Sequence, residues 1–281
     1  MVADRETGAA NPVLVRIRFV EAAAPGERIL MTFRDPEPRV AAVSALALEA
    51  LASPPDDRRS ETLLVLKVPA GGPKDAPWRR QAQAWFDAPE AQDVPPIQLG
   101  VEGGSLKWRP GRAVLEVPAD RMDALLPAVV DFAFCEHELS RLEAEVAADW
   151  PIVQADVPVM ARVGRAELAR EAEVATQGTA TALRRLRCAR LEPRLITPPA
   201  SLTEAGRTLG ERLREEADTE TRLETLDGHI EVYEYIYELA CQRISDYRHF
   251  RREYIVEVVI AVILAIEVVI VAAEMYLTYM E

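Results

Sequence analysis

The residue types that most often carry chemistry are thinly spread through this 281-residue chain. Glu136-His137-Glu138 places an imidazole between two carboxylates, the composition of a general base or a metal site. Neighbours on a helix point about 100° apart, however, so the three side chains cannot converge on one atom. A solvated helix face is the favoured reading. His229 and His249 lie far along the chain, and no Ser/His/Asp arrangement follows from the spacing. Gly71-Gly72 and Gly103-Gly104 are not followed by the Lys-Ser/Thr of a phosphate-binding loop and read as turn glycines. Cys135, Cys188 and Cys241 have no metal-type spacing. Each sits beside apolar residues in a predicted helix, so reduced, buried thiols in a cytosolic compartment are expected. No catalytic residue, metal or cofactor is predicted.

Two charged groups invite another kind of chemistry. Residues 254–279 are almost wholly aliphatic apart from Glu257, Glu267 and Glu274. The stretch exceeds the ~20 residues a helix needs to cross a bilayer. Arg248, Arg251 and Arg252 precede it, and tyrosines stand at both ends. That is the outline of a C-terminal membrane anchor with its basic flank in the cytoplasm. A core helix of a soluble assembly is the competing reading, kept open by the three acids. Glu267 and Glu274, seven apart, share a face. An acid inside an apolar span is costly against lipid and usually meets a partner helix, most simply from a second copy of the chain. The other group is Arg184, Arg187, Arg190 and Arg194, one broad face of a predicted helix. Such a face could meet lipid headgroups or RNA. Pairing with an acid-rich neighbouring helix carrying Glu204, Glu211, Glu215 and Glu216 is favoured.

Periodicity supplies the elements that must hold these residues. Residues 12–20 alternate apolar and polar, the pattern of a strand, and 28–33 suggest a second. Residues 36–52, rich in Ala, Leu and Val, predict a helix closed by Ser53-Pro54-Pro55. TLLVLKV at 62–68 fits an interior strand. A short helix is expected around 78–86, with Trp85-Phe86 folding back onto the sheet. Residues 105–108 and 112–117, split by Pro110-Gly111, read as a hairpin. Strands arriving in pairs predict an α+β unit over 1–118. From 119 to 253 the pattern is helical: a first helix to Asp149 stopped by Trp150-Pro151, and a second over 159–191 ended by Glu192-Pro193. A third starts after a Ser201 or Thr203 cap and runs on toward the C-terminus. In it Leu223, Leu226, Ile230, Tyr233, Tyr237, Ala240, Ile244 and Tyr247 step by three and four, an a/d seam. An intramolecular bundle is the first reading of that seam, a dimeric coiled coil the second. Residues 254–281 form the anchor.

A hydrophobic fraction of 49% and a charged fraction of 28% are those of a folded protein. The net charge of −13 argues against non-specific nucleic-acid binding by the whole surface. The N-terminal MVADRETGAANP has neither a signal-peptide core nor the composition of a transit peptide.

Three segments resemble the Rmd1/YagE family, the domain of unknown function 155. They are LLPAVVDFAFCEHELSRLE at 125–143, RLEPRLITPPASL at 190–202, and the terminal run with Glu253-Tyr254 and Glu267-Val268-Val269. The family's Trp at the start of the final helix is Tyr254 here, and the first hundred residues match loosely. The resemblance implies a membrane-anchored helical protein without established enzymatic activity, related to mitochondrial inner-membrane factors supporting translation. The absence of a transit peptide implies a bacterial-type relative. The expectation is therefore a tail-anchored, self-associating scaffold or assembly protein of the inner (cytoplasmic) membrane. It is single-pass with a cytoplasmic body, its partners being membrane lipid, further copies of itself and an unidentified protein. A soluble homo-oligomer with a closed C-terminal bundle is the alternative.

Overall fold

The structure, a computed structural model, describes residues 11–51, 61–71, 76–88, 95–161 and 164–280. Seven strands form one mixed sheet: β1 (Val13–Val20), β2 (Arg28–Phe33), β3 (Arg39–Leu46), β4 (Thr62–Pro69), β5 (Ile97–Val101), β6 (Gly104–Arg109) and β7 (Arg112–Val117). Their order is β2-β3-β1-β4-β7-β6-β5, with only β4 and β7 parallel among the pairs. Among the described residues six α-helices follow or interrupt it: α1 (Pro77–Phe86), α2 (Ala119–Ala161), α3 (Arg165–Ala169), α4 (Glu171–Ile196), α5 (Glu204–Glu216) and α6 (Thr219–Met280). The fold is α+β.

The sheet is covered on both faces because its central strands are apolar on both. Ile17 and Phe19 of β1 belong to one face, where Phe19 meets Phe33 and Phe134 edge-on at 5.9 and 5.4 Å. Trp108 of β6 meets Phe132 in the same way, at 4.8 Å, so the N-terminal half of α2 lies on this side. The opposite face, with Leu14, Leu64, Leu66 and Val68, packs against Ala82, Trp85 and Phe86 of α1. At β6 no side chain fits Gly104, because a Cβ would collide with the Glu116 carbonyl. Gly111 turns β6 into β7 with φ +76°, a conformation that favours glycine.

Several expectations are corrected. Residues 36–52 are not a helix: β3 runs through them between β2 and β1, and a one-turn 3-10 helix follows at Leu48–Leu51. Ala41 and Ala42 are fully buried there, so small side chains that favour helices in isolation serve to admit close neighbours. The Ser53-Pro54-Pro55 stop lies outside the described residues. Trp150-Pro151 does not end α2, which continues for three more turns. Val153, Asp156 and Val159 are buried beyond it, and that burial offsets the ~3 kcal/mol a mid-helix proline costs. The second predicted helix is two, α3 and α4, and α4 passes through Pro193. The third is broken as well: Asp218, at φ 48°, separates α5 from α6. Thr203 does cap α5, its Oγ1 accepting a hydrogen bond from the Gly206 amide at 3.1 Å. Strand β5 carries no strong signal and was not expected.

Two compact units emerge, residues 1–147 with 184–228, and residues 148–183 with 229–281. The first holds the sheet. In the second, Trp150 stacks on Tyr233 at 6.4 Å and the Tyr237 hydroxyl donates to Asp156 at 3.3 Å, so α6 runs alongside α2 in the same direction. Gly178 lies against Tyr237, and Glu171 is ion-paired with Arg248, so α6 runs opposite to α4.

Candidate functional site

The sequence from Thr219 to Met280 forms one helix of 62 residues. Its C-terminal part is long and apolar enough to cross a membrane. From residue 248 to residue 273 every side chain is exposed. The 254–279 segment rises about 39 Å at ~1.5 Å per residue, against a hydrocarbon core of ~30 Å. Aliphatic residues such as Ile260, Ile263 and Ile266 are each more than half exposed. Glu257 and Glu267 project from this surface, and the Glu274 side chain lies outside the described residues. Arg248, Arg251 and Arg252 form the exposed basic flank, with Arg248 paired to Glu171.

The seam residues before the span face inward. Leu223, Leu226, Ile230, Tyr233, Tyr237, Ala240 and Ile244 are buried, and Tyr247 is half-buried. Burial and the adjoining Asp156 carboxylate raise the Tyr237 hydroxyl above the usual phenol range, so it stays a neutral donor. Asp156 also accepts from Arg170, which ties α2 to the start of α4.

The basic face of α4 meets carboxylates throughout, but not those of the expected helix. Arg187 donates to Glu145 at 2.6 and 3.2 Å, and Arg184 lies 3.4 Å from the same carboxylate. Arg190 reaches Asp35 at 3.0 Å and Arg194 reaches Asp131 at 2.9 Å. The partners come from α2 and the β2–β3 connection, whereas none of these four arginines is paired with Glu204, Glu211, Glu215 or Glu216 among the described residues.

Asp131 is fully buried and also accepts from Arg214 at 2.7 Å, while Arg214 donates to the Arg194 and Gly210 carbonyls. Asp131 stands alone in the apolar run AVVDFAFC, a pattern that asks for a buried cation. Its partner Arg214 has no such mark. Cys135, beside this cluster, is pushed up to about 12 by burial and by Asp131, so it is a packed thiol. Burial pushes Cys188 to about 11. Cys241, expected to be buried, is exposed.

Glu136-His137-Glu138 is not a solvated face. Glu136 and Glu138 are buried, the first bound by Arg222 at 2.8 Å and the second by Arg141 at 2.6 Å. Burial raises both carboxyls above 4.5 despite those arginines and lowers His137 below 6.5. The three diverge, and no metal-binding group of His, Cys, Asp and Glu is gathered among the described residues. A groove of about 580 Å³ opens beside α5, floored by Val101, Ala124, Leu125 and Leu209. Arg121 at its rim pairs with Glu102 at 3.5 Å, and Arg212 donates to the Gly100 carbonyl at 2.6 Å. Of the two threonines lining it, Thr203 caps α5 and donates to the Ala124 carbonyl, and Thr208 donates to the Glu204 carbonyl.

No protein-family model matches the chain, and no curated protein matches it.

Proposed function

We propose that the chain is a membrane-anchored, self-associating scaffold or assembly protein, held in the inner (cytoplasmic) membrane by the C-terminal part of α6. One observation carries this reading: the uninterrupted exposure of an apolar helix longer than a bilayer core. In water that surface far exceeds the apolar patches tolerated by soluble monomers. Lipid covers it without any further partner. The arginines at 248, 251 and 252 support a cytoplasmic body, since positive flanks remain on that side. Glu267 in the middle of the span supports self-association, because a second copy would shield it from lipid. The body is read as a binding and assembly platform, not an enzyme.

The test is fractionation of the full-length protein beside a form ending at Arg252. The full chain should stay with membranes through an alkaline wash, and the shortened form should be released. Recovery of the full chain from cytosol without detergent would favour the other reading, a soluble oligomer whose apolar helices close on one another.

A further inference from the structure

A second face of α6 repeats the heptad spacing and, among the described residues, is exposed except at the half-buried Leu239. Val232, Tyr235 and Leu239 step by three and four, two residues out of phase with the buried Ile230, Tyr233 and Tyr237. Two residues correspond to about 200° around a helix, so this stripe points away from the core. Val232 is 51% and Tyr235 59% exposed. The same spacing, carried forward, reaches Val256, Ile260, Ile263 and Glu267 in the apolar segment.

We propose that this face binds a second copy of the chain, parallel and in register. The inference rests on the membrane reading above, because two chains anchored by the same helix in one bilayer must point the same way. Charge complementarity then selects the register. With Val232 and Leu239 at a positions and Tyr235 and Gln242 at d, Glu238 occupies g and Arg243 the following e. In a parallel pair g of one helix meets that e of the other. Arg252 and Glu257 repeat the relation with the signs exchanged. All four side chains are exposed, and none has an ion pair within the chain among the described residues. An antiparallel pair would set g against g and e against e, which loses this match. The pairing gives Glu257, at the entry to the apolar segment, a cation from the other copy. Glu267 falls at an a position, opposite its own counterpart, where a polar side chain fixes register at the expense of stability. Asp246, His249 and Glu253 also lie on the seam, so the stalk alone pairs weakly and depends on the bilayer to concentrate it.

The test uses the full chain in membranes with Cys241→Ser as background. Gln242→Cys, at d, should form a disulfide-linked dimer on mild oxidation, whereas native Cys241, one residue earlier and off the seam, should not. Glu238→Arg should lower the crosslinked fraction roughly five-fold, since two attractions become repulsions. Adding Arg243→Glu should restore it. Equal crosslinking at 241 and 242, or no recovery in the double variant, overturns the parallel register. Each sample is also washed in alkaline carbonate. A chain that stays in the membrane without crosslinking at 242 overturns the pairing and leaves the anchor standing. A chain released by the wash overturns the anchor, and the pairing with it.

Discussion

Asp131 holds two guanidinium groups inside the sheet-bearing unit, with Arg194 on one oxygen and Arg214 on the other. Asp131→Ala would leave both cations short of an anion, one of them deeply buried. The expected loss is about 3–5 kcal/mol, read from urea unfolding. Glu138 predicts a pH dependence. Its carboxyl is raised by burial, so the folded state holds the proton more tightly than the unfolded chain. The stability this contributes is fully present below 4.5 and is lost as pH rises through the folded value. Melting temperatures of wild type and Glu138→Gln should therefore converge, or cross in favour of Gln, as pH is raised from 4 toward neutrality. Parallel curves would show that Glu138 does not titrate differently on folding. At this scale the sequence was partly legible. The ion pair of Asp131 was missed: its lone acid within AVVDFAFC is a signal, but the arginine that answers it comes from a helix 83 positions away.

Elements were readable where periodicity and burial agree. β1 falls where alternation places it, β4 where a continuous apolar run does, and the β6–β7 hairpin where its turn residues do, because each strand's pattern is set by neighbours on its own faces. β3 was not readable. Its alanines are good helix formers, and only its place between two strands makes them sheet residues. The same limit applies to Pro151, whose local cost is outweighed by packing farther along α2. The inward seam of α6 gives the test at this scale. Ile230 is fully buried, so Ile230→Asp should destabilise the protein by about 3 kcal/mol or more, whereas the exposed Glu224→Asp should change the melting temperature little. Equal effects from the two would refute the assignment of faces.

For the molecule as a whole, the proposed orientation across the bilayer is tested at two thiol positions. Cys241 is exposed and lies before the arginine flank. An impermeant thiol reagent should miss it in intact cells and label it after lysis, while Glu281→Cys in a Cys241→Ser background should be labelled from outside. The opposite pattern would reverse the topology. What the sequence made legible at this scale was the apolar segment and a last helix that runs on into it; what it left hidden was the break at Asp218, where that helix begins. Between His229 and Met280 the helix contains neither glycine nor proline and is continuous in the structure. A shaft of this kind has little slack. If the apolar segment is longer than the local hydrocarbon, it can tilt but not fold, and the inclination carries down to Ile244 and Tyr237. Membrane thickness would then become a mechanical input, converted into the angle at which the stalk leaves the surface. A spin label at Asp246 should change its distance from the bilayer plane as acyl chains are shortened, and a fixed distance would mean that the shaft yields at a point within the span.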